Sequence, residues 1–411
     1  MRQTDRAVGS ARQNGAVLLV MVALIGLGII AVLIGRLNSA EIANWRIRTD
    51  QESLAQARDA LIAWSLQRGR DTGTERPGEL PCPDTNNDGI EEGTCAAGRL
   101  GRVPWRTLGI DAPRDSSGEI LWYAPAGALR KYNSNTSPIN SNTRGNLVVR
   151  DAGGTVVIRS DAVFVLLAPG APVGNQARST TLASCAATGT TVARINCASN
   201  YLESADGINN AISNGPFIAG KRSDSFNDRI MLVSTDDFVR QIENRAALEA
   251  KLLLKKYDLA NGYLPFPASY NDAGCLDANY LTSCVSDETK CRGRFPDSAV
   301  TASSPNDWSI GERPDWFSRN LWGDSIYYAV GSSRLASAPL NCSARQSVGT
   351  TQYDAVLIMP GPLYATASRP SVNLSDFLED ADNRDGWSGS PPAADQLIVP
   401  TLNSNDRLYP Y

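Results

Sequence analysis

The chain has 411 residues, with 39 Lys and Arg against 43 Asp and Glu, and a formal net charge of −4. That balance offers no global basic field, so no nucleic-acid partner is expected. There is no histidine, which removes the commonest general base, the commonest zinc ligand and the Ser-His and Cys-His pairs. Abundant Gly, Ser, Asn, Thr and Pro with few aromatics point to strands, turns and surface loops rather than a helical bundle.

The first element is apolar. "RQNGAVLLVMVALIGLGIIAVLIGRL" (12–37) carries no charge between Arg12 and Arg36. Ala16 to Gly35 at about 1.5 Å per residue reaches roughly 30 Å, the thickness of a bilayer core. Arginines flank it on both sides, so charge bias alone does not orient it. The helical pattern continues: between Arg36 and Leu66 there is no Pro or Gly, and Leu54, Ala57, Leu61 and Trp64 share one face. One helix of about fifty residues, transmembrane and then amphipathic, is the expectation.

These residues resemble the N-terminus of type IV pilins and of type II secretion pseudopilins. The match lies in a short charged leader ending in Gly15, a small residue at Ala16, an unbroken apolar run, and the amphipathic continuation "SLAQARDALIAW" (53–64). The resemblance implies that prepilin peptidase cuts between Gly15 and Ala16 and methylates the new amine. It further implies that the helix serves as an anchor and then as the core of a filament. The family usually has glutamate at the fifth mature position, and here that residue is Val20. Within the family, this departure is typical of the minor subunit placed at the filament tip.

Eight cysteines follow the apolar run: Cys82, Cys95, Cys185, Cys197, Cys275, Cys284, Cys291 and Cys342. Their even count, without any CxxC pair, points to disulfides in an oxidising compartment. Cys82–Cys95 and Cys185–Cys197 are attractive local staples, and among the last four the sequence does not choose. Oxidised cysteines place the N-terminus in the cytoplasm and the bulk of the chain outside it.

"DTNNDGIEE" (84–92) sets oxygens at Asp84, Asn86, Asp88 and Glu92 around Gly89, the first half of an EF-hand-like loop. Calcium is the cofactor this spacing suggests, as in the calcium-holding loops of some major pseudopilins. The twelfth position is Cys95, not the usual bidentate glutamate. A second acidic cluster, Asp380, Asp382 and Asp385, is interrupted by Arg384.

The chain also matches itself. "QARDALIAWSLQRG" (56–69) aligns with "EAKLLLKKYDLANG" (249–262), and "LPCPDTNNDG" (80–89) with "LPFPASYNDAG" (264–274). "RDSSGEILWYAPAG" (114–127) aligns with "RNLWGDSIYYAVGS" (319–332), and "SDAVFVLLAPGAP" (160–172) with "QYDAVLIMPGPL" (352–363). Finally "NYLESADGINN" (200–210) aligns with "DFLEDADNRDG" (376–386). The second spine helix, 236–262, has Phe238, Ile242, Leu252 and Leu253 as its apolar side and Thr235 or Asp236 as its cap.

The fold expected is therefore α+β: a long N-terminal helix packed on a small antiparallel sheet, then a second helix-plus-antiparallel-sheet unit. Its parts are a leader (1–15), a spine helix (16–69), a first globular unit (70–235), the second spine (236–262) and a second globular unit (263–411). No GxSxG, P-loop or HExxH motif occurs, so an enzyme is not expected. The function expected is a pilin-like subunit of a type IV pilus or type II secretion-like filament, minor or at the tip. It would sit as a single-pass protein in the inner membrane, then in the filament or at the cell surface. Its partners would be other pilins or pseudopilins through the first helix, prepilin peptidase, the membrane, and a surface or secreted protein. The alternatives are an adhesin or substrate-binding module carried on a pilin-type helix, and an unprocessed periplasmic protein of unrelated activity.

Overall fold

The computed structural model describes residues 14–36, 39–69, 75–95, 100–131, 137–186, 188–276, 284, 286–296, 314–363, 368–384, 387, 396–399 and 404–411. Residues 1–13 of the expected leader, and Asp385 of the second acidic cluster, lie outside them. The chain divides into two compact units, Met1–Glu52 and Ser53–Tyr411.

The N-terminal expectation needs correction. The structure describes α1 (Asn14–Arg36) and α2 (Ser39–Gln67) here. The apolar side chains described in α1 run from Val17 to Ile29, 13 residues. No helix among the described residues is long and apolar enough to cross a membrane. This finding overturns both the transmembrane-then-amphipathic helix of the expected fold and the single-pass inner-membrane placement. What the structure shows is a mixed α/β fold with several small sheets.

In the second unit, the larger sheet contains β1 (Gly101–Arg102), β2 (Trp122–Pro125), β3 (Leu147–Arg150), β4 (Val157–Ala168), β5 (Phe217–Ile218) and β6 (Arg229–Ser234). Strand β4 is long enough to carry β3 and β6 one after the other along one edge, while β2 takes the other. Next comes α3 (Thr235–Asn261), then a second sheet of β7 (Arg292–Arg294), β8 (Tyr327–Val330), β9 (Ala355–Met359) and β10 (Arg407–Pro410).

The two sheets share one plan. The order β1-β2-β4-β6 in the first is β7-β8-β9-β10 in the second, with every neighbour antiparallel. Registers correspond as well: Gly101 opposes Tyr123 and Gly293 opposes Tyr328, while Trp122 opposes Leu167 and Tyr327 opposes Ile358. Both glycines are needed for close approach. A Cβ on Gly101 would meet the Asp84 carbonyl oxygen at 2.5 Å, and one on Gly293 would fall on that of Ala268.

Helix α3 packs against β4, β6 and β9, and so against both sheets. Phe238, Val239, Ile242, Ala246, Ala250, Leu253 and Tyr257 are buried along it, and Phe238 meets Phe164 of β4 edge-on at 6.4 Å. Two details differ from expectation. The cap is Ser234, whose hydroxyl accepts from the Asp237 N–H, because the strand ends there and Thr235 is already helical. Leu252 is 54 % exposed, since it sits a quarter-turn away from buried Leu253. One continuous apolar core runs from Leu54, Ala57 and Leu61 of α2 through the first sheet and α3 to Ile326, Tyr328 and Leu357. A smaller core under the opposite face of the second sheet holds Tyr327, Ala329, Phe377 and Trp387.

Four disulfides are present: Cys82–Cys95, Cys185–Cys197, Cys275–Cys284 and Cys291–Cys342. The last is long-range because pairing of β7 with β8 brings Cys291 next to Val330, whose N–H donates to the Cys291 carbonyl at 2.8 Å.

Candidate functional site

The Asp84 loop is held from inside. Asp84 is buried, and its Oδ1 accepts from the N–H groups of Asn86 (3.1 Å) and Asn87 (2.6 Å), its Oδ2 from that of Gly89 (2.8 Å). Burial pushes the Asp84 carboxyl upward, against those three donors, which pull it down. Asn86 accepts from the Asp88 N–H at 2.9 Å, and Asp88 accepts from Ile90 at 2.8 Å. Glu92 folds back on Thr85, taking its N–H and its hydroxyl. Gly89 needs its positive φ of 82°, and a Cβ there would strike Trp105 at 2.5 Å. The loop thus brings Asp84, Asn86, Asp88 and Glu92 into one turn, stapled below by Cys82–Cys95. Among the described residues, no three carboxylates or cysteines are gathered in a metal-holding geometry. The processing pair, Gly15 and Ala16, lies in the first turn of α1.

A pair of matched polar nodes, which sequence reading did not single out, lies where the last strand of each sheet begins. In the first, Glu203 Oε2 accepts from the N–H groups of Asn227 (2.9 Å) and Asp228 (3.1 Å). Asp228 Oδ2 in turn accepts from the Glu203 N–H (3.0 Å) and the Asn210 amide (2.9 Å). Asn210 is fixed by both backbone groups of Ile218. The second node repeats this with other residues. Glu379 Oε2 accepts from Asn405 N–H (3.3 Å), Asp406 from Glu379 N–H (3.2 Å) and the Asn383 amide (3.0 Å). Asn383 is fixed by both backbone groups of Ile398.

The surroundings repeat too. Asn227 donates to the Ala171 carbonyl and Asn405 to that of Pro362, both at 2.7 Å, each beside a left-handed glycine, Gly170 or Gly361. Arg178 donates to the Gly170 and Asn200 carbonyls, Arg369 to those of Gly361 and Asp376. Each guanidinium lies over the next ring, Tyr201 at 4.4 Å or Phe377 at 4.8 Å. A second guanidinium lies against each ring: Arg102 over Trp122 and Tyr201, and Arg294 over Tyr327 and Phe377, with centroid distances of 4.9 to 5.2 Å. The signal available in the sequence was a repeated Asn-Asp-Arg, at 227–229 and 405–407.

Neither the loop nor the nodes pair a nucleophile with a base, and the nodes are made of largely buried, mutually bonded groups. No protein-family model, curated protein or solved structure matches this chain.

Proposed function

We propose that the chain is a non-enzymatic, pilin-like subunit of a type IV pilus or type II secretion-like filament, in a minor or tip position. The observation that carries this reading is the apolar surface of α1. Leu18, Leu19, Met21, Val22, Leu24, Ile25 and Leu27 are all between 60 and 73 % exposed. So continuous an apolar surface calls for a partner, and apolar helices of other pilin-like subunits would cover it. The duplicated sheets and four disulfides support a durable display module behind that helix.

Intact-mass and N-terminal analysis of the full-length protein, expressed with and without prepilin peptidase, tests the reading. A new, methylated terminus at Ala16 that depends on the peptidase is expected. An unchanged N-terminus in its presence, with no association with other pilin-like subunits, would remove the protein from this class.

A further inference from the structure

Each node leaves one buried carboxylate oxygen that accepts no hydrogen bond: Asp228 Oδ1 in the first and, in the second, Glu379 Oε1, which has only the Arg369 guanidinium at 3.6 Å. In each, backbone bonds draw the two acidic side chains together: Glu203 accepts from the Asp228 N–H and Asp228 from the Glu203 N–H, and Asp406 accepts from the Glu379 N–H. Two buried carboxylates brought together in this way repel one another unless a proton is shared, and a buried oxygen without a donor is costly. We propose that each node is a proton-held latch, in which one proton shared by Glu203 and Asp228, and another shared by Glu379 and Asp406, fastens β6 and β10 to their loops and is released in alkaline surroundings.

The placement makes the latch mechanical. Asp228 and Asp406 immediately precede Arg229 and Arg407, the first residues of β6 and β10. Their partners lie in the loops before, so losing the proton sets two negative charges against each other at the strand's root. A cavity of about 250 Å³ lined in part by Gln176, Leu202, Glu203 and Ser225 gives the first node a route to water.

Neighbouring charges differ between the nodes. Around the first, Gln176 donates to Glu203 at 2.7 Å, while Arg178 is occupied by Glu119 at 2.8 Å, and Asp115 binds the Gly170 N–H. Around the second, the Arg369 guanidinium stands 3.6 Å from Glu379 Oε1. Behind it Glu243 of α3 is bound by Arg407 and by Ser141, and Asp376 by Ser371. Asp380 contributes its N–H to Asp406, and its own carboxylate accepts from Asp382.

Burial, then the Glu203 charge, holds the Asp228 carboxyl well above its usual range. Burial, then the bond to Asp406 and its charge, pushes Glu379 up to about 8. A carboxyl raised in the folded state stabilises fully below its unfolded value of about 4.3 and loses that contribution as pH rises through the folded one.

The test uses the full chain, unfolded by urea at a series of pH values between about 5 and 9. The unfolding constant of the unaltered protein should rise with pH by up to about tenfold per unit for each proton held. Asp228→Asn with Glu379→Gln puts a permanent amide donor at each bare oxygen, so the double variant should lose most of that slope and match the wild type at the acid end. A wild type with no slope, or a double variant that keeps it, overturns the proposal. Should the double variant not fold, infrared titration of the wild type decides. A protonated-carboxyl band present at neutral pH and lost toward pH 9 supports the latch, and its absence at neutral pH refutes it.

Discussion

Loop closure makes the four disulfides unequal, and the inequality can be measured. Cys291–Cys342 closes a separation of 51 residues, Cys82–Cys95 one of 13 and Cys275–Cys284 one of 9. In the chain-entropy account these rings stabilise by about 4, 3 and 2.6 kcal/mol respectively. The largest ring encloses both β7 and β8, and its Cys342 carbonyl accepts from Ser332 at 3.4 Å, so no short loop substitutes for it. Replacing Cys291 and Cys342 together by serine should therefore lower stability by about 1 kcal/mol more than replacing Cys82 and Cys95. With a urea slope of about 1 to 3 kcal/mol/M, the two midpoints should differ by roughly 0.3 to 1 M. The assay is urea unfolding of the oxidised full chain, followed by the tryptophans of the cores. If the Cys82 and Cys95 variant is the less stable, local packing around the Asp84 loop outweighs ring size and the reasoning fails.

Three further outcomes are expected. Asp84→Ala orphans three amide N–H groups and should cost about 3 kcal/mol in thermal or urea unfolding, whereas Asp88→Ala, at an exposed position, should cost well under 1 kcal/mol. Calorimetric titration of the same proteins with calcium tests the proposed ion: heat in the wild type and none in Asp84→Ala supports it, and no heat in either removes it. Glu243→Ala leaves Arg407 partly buried without its partner and should cost about 3 to 5 kcal/mol, with Glu243→Gln milder because its one oxygen can still accept from Arg407 while its amide donates to the Ser141 hydroxyl. Gly361→Ala combines a positive φ of 67° with a Cβ 2.5 Å from the Asn405 side chain, so denaturation should show a loss of about 1 to 3 kcal/mol. Gly170→Ala should do the same in the first sheet.

What the sequence discloses depends on how far apart the interacting residues lie. The Asp84 loop was legible because its oxygens sit within nine residues of one another. The helix expected at 236–262 and found at Thr235–Asn261 was legible from the spacing of Phe238, Ile242 and Leu253, but the outward turn of Leu252 and the cap were not. Ser234 belongs to β6, and only the point where the strand stops decides which hydroxyl faces the free N–H groups. The internal repeat was legible as segments, yet the contacts that make it a fold were not. Glu203 meets Asp228 across 25 residues and Glu379 meets Asp406 across 27, separations set by sheet register. The same holds for Cys291 with Cys342. At the N-terminus the reading failed differently. An uninterrupted apolar composition suggests one long spanning element, whereas no helix among the described residues is long and apolar enough to cross a membrane.

A chain that contains its own second copy separates the requirements of the fold from those of function. Arginine against two aromatic rings, asparagine beside a left-handed glycine, and an acid pair at the root of the last strand occur in both copies. Each solves the same problem, which is how to bury the junction between a loop and an edge strand without orphaned backbone groups. The Asp84 loop occurs once. Its counterpart keeps the bridge from Ala268 to Arg294, as Asp84 keeps the bridge to Arg102, but Ala268 carries no carboxylate in the place of Asp84. The bridge is therefore a demand of the sheet, and the carboxylates are not. Asp84, Asn86, Asp88 and Glu92 are thus the residues of the first copy that the duplicated architecture does not itself require. Transplanting 84–92 into the second copy between Ala268 and Gly274 tests this separation. The sheet should fold unchanged as judged by the protection of the β7 and β8 amides, and loss of that protection would show that the loop and the sheet are not independent.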